Sequence, residues 1–356
     1  MIALAPVHAP IAAFDDPILV TGATGFIGSR VVEQLLDRGF RHLRCLARRP
    51  GSLPAAIVSA ARRTGARVDI LEGNLLSRAD CRAAAAGARV IYHLAAARGE
   101  KSVPDAFMNS VVTTRNLLDA ALADGALRRF VNVSSFTVYA GAGPRARVLD
   151  ESARLEDRPA LRGDAYSYAK VKQEELVADY ARRFGLSHVV IRPGYVYGPG
   201  NEPIPGRVGV GTFGIFLHLG GPNPLPLTYV DNCAAAIVLA GVTPGIDGEA
   251  FNVVDDGVPS SRQFLRLYKR NVRRFRSIYL PHAVSYSLCW LWESYSNWSQ
   301  GQLPPTFNRR SWQAYWGRRR YSNEKLKSRL GWAPLVPTTE ALQRYFESCR
   351  YKLAHA

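Results

Sequence analysis

The stretch that most constrains this chain is Ile18-Leu19-Val20, followed by Thr21-Gly22-Ala23-Thr24-Gly25-Phe26-Ile27-Gly28 and an amphipathic run from Ile27 to Leu36 that closes at Gly39. A short apolar strand, a glycine-rich turn and a helix in this order form one strand–turn–helix unit. Glycines permit the tight turn and let backbone amides at the positive helix N-terminus approach a pyrophosphate. The spacing is GxxGxxG rather than the commoner GxGxxG, so the glycines alone say little. Their place between a strand and a helix near the chain start is what predicts a nucleotide site, with Thr21, Gly22, Gly25, Phe26, Ile27 and Gly28 against the phosphates.

The rest of the chain repeats the alternation. Leu43 to Ala47, Val68 to Leu71, Val90 to Leu94, Phe130 to Val133 and Val189 to Arg192 read as further strands, with helical runs between them at Val111 to Leu122 and Tyr166 to Phe184. Strands alternating with helices predict an α/β, Rossmann-type doubly wound parallel sheet. At 356 residues the chain is long enough for one large or two medium domains at about 100 to 200 residues each. Residues 198 to 226 hold eight Gly and six Pro, so regular elements there must be short. The division expected is a dinucleotide-binding part at 1–197, to which a helix at 231–243 returns, and a smaller, mostly helical substrate or lid part at 198–230 and 244–356. In the latter, Phe264, Leu265, Tyr268, Val272 and Phe275 recur at helical spacing, and Val284, Leu288, Leu291, Tyr295 and Trp298 form a second stripe after Pro281. No internal repeat is visible.

About twenty residues past the last glycine, an acid would hold the ribose 2′-hydroxyl of NAD. The chain has Leu46-Ala47-Arg48-Arg49 there. Guanidinium groups pair with a 2′-phosphate through charge-assisted hydrogen bonds, so Arg48 and Arg49 favour NADP(H), with NAD(H) as the alternative. The plain reading of the pair is two surface arginines in an arginine-rich chain.

Together, TGATGFIG at 21–28, YHLAA at 92–96, VSSFTVY at 133–139, Tyr166-Ser167-Tyr168-Ala169-Lys170, RPGYVYGPG at 192–200, YVDN at 229–232 and LGW at 330–332 give a sequence that resembles the extended short-chain dehydrogenase/reductase family over nearly its whole length. The resemblance implies a catalytic set of Ser135, Tyr166 and Lys170. It also implies that Asn74, Leu75, Leu94, Ala95, Ala96, Lys170 and Pro193 line the cofactor, and that the enzyme works as a homodimer.

The residue types suit those roles. A tyrosine and a lysine four apart share a helix face, and an ammonium lowers a phenol's pKa from its usual ~10 toward working pH. Tyr166 would then give a proton to a ketone oxygen or take one from an alcohol, with Ser135 polarising the same oxygen and Lys170 also binding ribose. Tyr168 and Lys172 form a second YxxxK. Glu174, four residues after Lys170 as in the family, favours Tyr166; Tyr168 then reads as a packing residue or a contact to a second subunit. His93 reads as strand-end packing, and His218 and His282 have no evident partner in the sequence.

Fold does not choose a substrate. Phe136-Thr137 stands where sugar 4,6-dehydratases carry an Asp-Glu pair, which disfavours dehydration. Epimerases hold NAD and clamp a sugar diphosphate, for which Arg309, Arg310 or Arg318 would be available. Residues 226–232 and the stripe after Pro281 look more like the 3β-hydroxysteroid dehydrogenase and bulky-ketone reductase branch, in which an apolar C-terminal segment covers the substrate. The expectation is ketone–alcohol interconversion on a bulky, apolar, sterol-like or long-chain lipid molecule. The alternatives are a sugar-nucleotide 4-epimerase and a non-catalytic nucleotide-binding protein.

Of the net charge of +17, +13 falls between residues 262 and 329, where 15 Lys or Arg face only Glu293 and Glu324. Five of the six tryptophans lie in the same span. Cations with indole rings suit an anionic membrane surface, and nucleic acid is the disfavoured partner; the plain alternative is a solvated basic face. Five scattered cysteines with no CxxC pair argue against disulfides and zinc, so no metal is expected. The first twenty residues carry Asp15 and Asp16 but no Lys or Arg, and the expected location is cytoplasmic, peripheral on the inner membrane face.

Overall fold

The computed structural model describes residues 11–48, 54–96, 102–141, 147–201, 203–299, 302–303 and 307–355. The chain opens with β1 (Ile18–Thr21), α1 (Phe26–Asp37), β2 (His42–Ala47), α2 (Ala55–Thr64), β3 (Arg67–Glu72), α3 (Arg78–Ala85) and β4 (Val90–His93). Then come α4 (Val103–Phe107), a π-helical turn at Met108–Val112, α5 (Thr113–Asp124), β5 (Arg129–Val133), β6 (Arg147–Leu149), α6 (Ala165–Phe184), β7 (His188–Pro193) and β8 (Tyr195–Tyr197). The Gly- and Pro-rich segment folds as the short strands β9 (Gly209–Thr212) and β10 (Ile215–His218), before β11 (Leu227–Tyr229), α7 (Val230–Val242) and β12 (Ala250–Val253). The remainder is α8 (Ser261–Asn271), β13 (Ser277–Tyr279), α9 (His282–Trp298), α10 (Arg309–Tyr315), β14 (Arg319–Tyr321), α11 (Glu324–Leu330) and α12 (Thr338–Ala354).

Seven strands form one parallel sheet in the order β12-β7-β5-β4-β1-β2-β3. The order reverses between β1 and β4, which puts a crevice at the carboxyl ends of these two strands. The inner strands β1, β4 and β5 are buried throughout because both faces of the sheet are covered there, whereas the edge strand β3 is only partly buried. On one face Val31, Leu35, Ile57, Cys233 and Ile237 pack in a single cluster from α1, α2 and α7; on the other Cys81, Leu117, Leu118 and Val177 come from α3, α5 and α6. A third cluster joins Tyr197, Leu227 and Tyr229 to Phe264 and Tyr268 of α8 and Tyr345 and Phe346 of α12.

Two details differ from the sequence reading. Strand β12, placed by the sequence division with the substrate part, is the edge of the main sheet beside β7. Helix α8 stops at Asn271, with Val272 as its C-cap; Val272 and Phe275 pack against the third cluster from outside the helix, which the helical spacing could not show. The chain turns there because Ser277–Tyr279 pairs with β10, a contact more than sixty residues away in sequence.

Candidate active site

A cavity of about 790 Å³ opens over the crevice between β1 and β4. It is lined by Thr21, Gly22, Gly25, Phe26, Ile27, Gly28, Arg48, Asn74, Leu75, Leu94, Ala95, Ala96, Ser135, Tyr166, Lys170 and Pro193, which is every site residue expected from the sequence except Arg49. Arg49 lies outside the described residues. The glycine turn is closed tightly: a Cβ on Gly28 would lie 2.1 Å from the Gly22 carbonyl oxygen, and Gly22 has φ +71° with its own Cβ position 3.0 Å from the Ala95 nitrogen. Side chains are excluded by that packing, so the α1 N-terminus presents backbone N–H groups to the cavity.

Helix α6 is capped by Asp164, whose carboxylate accepts from the Tyr166 backbone N–H at 3.1 Å and from the Ser167 hydroxyl. This N-cap fixes the first turn, and hence where Tyr166 stands. The Tyr315 hydroxyl donates to the same carboxylate at 2.8 Å, which ties α10 to the helix start. One turn on, the buried Lys170 Nζ donates to the Val133 carbonyl at 2.7 Å and to Gln173 Oε1 at 2.9 Å. An ammonium has three protons, so one is left for a group inside the cavity. Burial lowers the Lys170 pKa to about 8, against the opposing pull of the Glu174 carboxylate. Tyr168 and Lys172 do not line the cavity, and Lys172 pairs at the surface with Glu175 at 2.7 Å.

Ser135 follows β5 in extended conformation, and its Oγ accepts from the Thr137 N–H at 3.3 Å, leaving the hydroxyl proton to donate elsewhere. Ser134 Oγ and Thr137 Oγ1 are buried without a hydrogen-bond partner in the chain, and both residues line the cavity. Buried hydroxyls are ordinarily satisfied, so these atoms await a polar ligand.

A fixed hydrogen-bond chain runs beneath the site. The Thr114 hydroxyl donates to the Ser110 carbonyl and accepts from Gln173 Nε2 at 2.8 Å. With its single proton committed, it must also accept from His93 Nε2 at 2.8 Å, so His93 carries its proton there and its Nδ1 accepts from the Thr21 hydroxyl at 2.8 Å. Burial, and then Lys170, depress the His93 pKa to about 3, so the ring is neutral. His93 thus links the glycine turn to Lys170 through Thr114 and Gln173. Glu174, one residue on, makes a buried two-bond pair with Arg192 at 2.7 and 3.0 Å. Burial works against that guanidinium's charge, but Glu174 and Tyr139 hold its pKa above the usual range.

None of the described lining residues is acidic, while Arg48, Lys170 and Arg207 are cationic. The sequence reading missed Arg207, Asn201 and Tyr315 as lining residues. Arg207 Nη1 donates to the Ala314 and Tyr315 carbonyls at 3.0 and 3.1 Å, and its guanidinium lies 5.4 Å over the Tyr315 ring. It sits in the irregular 198–226 segment, where no periodicity marks a face. The arginines proposed as a diphosphate clamp are elsewhere: Arg309 pairs with Glu293, Arg310 pairs with Glu156, and Arg318 is exposed outside the cavity. The stripe expected to cover the substrate is also displaced. Val284, Leu288, Leu291, Tyr295 and Trp298 are all exposed, and none lines the cavity. Helix α9 is held by its other side, through Cys289 and a hydrogen bond from Trp312 Nε1 to Ser285 Oγ at 3.0 Å. Among the described residues no helix is long and apolar enough to cross a membrane, and no cluster of His, Cys, Asp and Glu is placed to hold a metal. All five cysteines are buried, and none is in a disulfide.

Comparison with known proteins gives the context. A family profile described as "NAD dependent epimerase/dehydratase family" matches residues 18–253. The chain is 26% identical over 357 residues to 3beta-hydroxysteroid-dehydrogenase/decarboxylase isoform 1 of Arabidopsis thaliana, covering 93% of this chain and 79% of that protein. It is 34% identical over 193 residues to a 3 beta-hydroxysteroid dehydrogenase/Delta 5→4-isomerase of Mycobacterium tuberculosis, spanning 52% of this chain and only 48% of that relative. A UDP-glucuronic acid 4-epimerase from Bacillus cereus, solved in complex with NAD, superposes with a TM-score of 0.69 at 20% identity, covering 96% of this chain and 98% of that one.

Proposed function

This chain belongs to the NAD dependent epimerase/dehydratase family and is an NAD(P)-dependent oxidoreductase of the extended short-chain dehydrogenase/reductase type; we propose that it interconverts a ketone and a secondary alcohol on a bulky, largely apolar molecule, with NADP(H) as its preferred cofactor. The observation that carries this reading is the single cavity that joins the glycine turn and Arg48 to Ser135, Tyr166 and Lys170 with no acid on its described wall. The tightly closed Gly22–Gly28 turn and the orphaned Ser134 and Thr137 hydroxyls fit a dinucleotide and a polar reacting group.

When bound, the nicotinamide would supply or accept hydride. Backbone amides of the turn would hold the pyrophosphate, Arg48 would pair with the adenosine 2′-phosphate, and the remaining Lys170 proton would bind ribose hydroxyls. Asn74, Leu75, Leu94, Ala95, Ala96 and Pro193 enclose the rest. Ser135 donates to the substrate oxygen, and Tyr166 transfers a proton to or from it, with the Lys170 charge stabilising the phenolate. Phe136, Tyr195 and Tyr315 give the substrate end a bulky aromatic wall, which supports a sterol-like or long-chain lipid substrate, as do the relatives named for steroid substrates. Residues 1–197 with helix 231–243 would carry the cofactor, and 198–230 with 244–356 the substrate. A homodimer and an anionic membrane surface, met through residues 262–329 at the cytoplasmic face, complete the proposal.

A second reading, a sugar-nucleotide 4-epimerase, is favoured by Arg207 and Asn201 in the cavity, which are suited to a diphosphate and a sugar. Nicotinamide absorbance, followed with NADPH and a panel of 3-ketosteroids and long-chain ketones, tests the proposal against UDP-sugars assayed for epimerisation. Ketone-dependent NADPH consumption is expected. UDP-sugar epimerisation with tightly retained NAD and no net consumption would replace the first reading with the second.

A further inference from the structure

We propose that α9, together with the β13 strand before it, is an in-plane membrane-docking element that sinks its apolar face into the interface of an anionic lipid bilayer. The inference rests on the membrane partner proposed above, not on the proposed chemistry. Helix α9 is packed the opposite way from an ordinary surface helix: its buried residues are Ser285, Cys289 and Ser296, while Leu288, Leu291, Tyr295 and Trp298 are exposed, Trp298 by 77%. Trp290 and Trp292 of the same helix are exposed as well, and Ile278 is exposed on β13 just before it. Large contiguous apolar patches on a soluble surface mark interaction sites.

The helix's one charge, Glu293, is paired with Arg309 at 2.9 Å, so no unpaired charge on α9 opposes its burial at an interface; the exposed Ser287, Ser294 and Asn297 suit headgroup depth rather than the acyl core. At 17 residues and about 1.5 Å per residue it is about 25 Å long, and it is anchored along one side by Ser285 and Cys289, which suits lying in the interface rather than crossing it.

Charge selects the occupant. Arg262, Arg266, Arg270, Arg273, Arg274 and Arg276 come just before α9, all are exposed, and among the described residues none forms an ion pair. A second copy of this chain would bring the same six cations against them, whereas an anionic leaflet neutralises them and accepts tryptophan and tyrosine at headgroup depth. A separate feature agrees: Phe213, at the β9–β10 turn, is fully exposed and held at φ +46°, the lone positive-φ residue other than glycine among those described. The strand it leads into bonds to the arginine segment, Phe216 N–H donating to the Arg276 carbonyl at 3.0 Å. A bulky side chain kept in a costly conformation with no protein contact suits insertion into lipid.

The test is co-sedimentation of the full chain with phosphatidylcholine vesicles and with phosphatidylcholine–phosphatidylglycerol vesicles, at low and high salt. Partition onto the anionic vesicles should be about tenfold or more stronger at low salt. Leu288→Ser/Leu291→Ser/Trp298→Ser should lose most of it, and Arg273→Gln/Arg274→Gln/Arg276→Gln should remove the salt-sensitive part. Tryptophan emission of the unmodified chain should shift to the blue on binding. No partition onto anionic vesicles at low salt overturns the proposal, as does a serine variant that sediments like the parent. A concentration-dependent dimer that the serine variant dissociates, with vesicles inert, would assign the face to a second copy instead. NADPH binding measured on the same samples reports separately on the cofactor site, so loss of one result does not imply loss of the other.

Discussion

Helix α1 buries Val31, Val32, Leu35 and Leu36 against the sheet, whereas α9 buries Ser285, Cys289 and Ser296 and turns Leu288, Leu291 and Trp298 outward. Both helices carry an apolar stripe at helical spacing. In α1 the stripe meets the apolar faces of β1, α2 and α7, so burial drives it inward. In α9 a short polar and aromatic seam, with Trp312 and Tyr286 ring centroids 5.2 Å apart, fixes the helix the other way round. Periodicity therefore reveals that a face exists, but what that face meets is set by elements distant in sequence. The same contrast holds for charge: around the sheet, Arg129 and Arg192 are buried and paired with Asp247 and Glu174, while the arginines before α9 stand in solvent.

That contrast can be broken most decisively at α6. Replacing Tyr166→Phe should lower turnover by about 10² to 10⁴ while leaving NADPH binding intact, and Tyr168→Phe should keep substantial activity; steady-state kinetics and cofactor titration separate the two. A dead Tyr168→Phe would move the lysine role to Lys172. Next in size, Glu174→Gln should cost about 3 to 5 kcal/mol in denaturant unfolding, because it strands the buried Arg192 charge. A cost near zero would mean that the sheet region is no more tightly constrained than the C-terminal one.

Lys170 gives a pH test. With its pKa lowered to about 8, it is charged below that pH and neutral above it. Since the charged form supports the Tyr166 phenolate, kcat/KM for ketone reduction should fall about tenfold per unit above pH 8. Lys170→Arg, which keeps its charge, should have lower activity but a flat profile through the same range. A smaller effect is expected at the end of β2, where Arg48→Ala should weaken NADPH by about tenfold and leave NADH unchanged, as read by fluorescence titration. Equal affinities before and after would remove the case against an epimerase. At the bottom of the scale, Leu291→Ser on α9 should change unfolding free energy by less than about 0.5 kcal/mol, against about 2 to 5 kcal/mol for Leu35→Ala under the sheet.

Most of the main sheet was legible because its inner strands are short apolar runs set off by turns, and the cavity wall was legible wherever a residue sits at a strand end or in the glycine turn. Asn74, Leu94 and Pro193 stand in the cavity for that reason. Arg207 and Tyr315 were not legible. They meet only because an irregular segment and α10, more than one hundred residues apart, come together over the cavity mouth. The β6–β14 pairing, Val148 with Arg320, is more distant still and left no local pattern. The outward turn of α9 was hidden because Ser285 and Cys289 do not look like residues that anchor a helix.

The absence of acids among the described residues of the cavity wall has a kinetic consequence. A dinucleotide carries several negative charges, and a concave site whose described wall carries Arg48, Lys170 and Arg207 without a carboxylate focuses a positive field at its mouth. Such focusing raises encounter rates by roughly 10 to 10³ at low ionic strength. The cofactor would then arrive faster than unguided diffusion allows, with added salt slowing its capture far more than its escape.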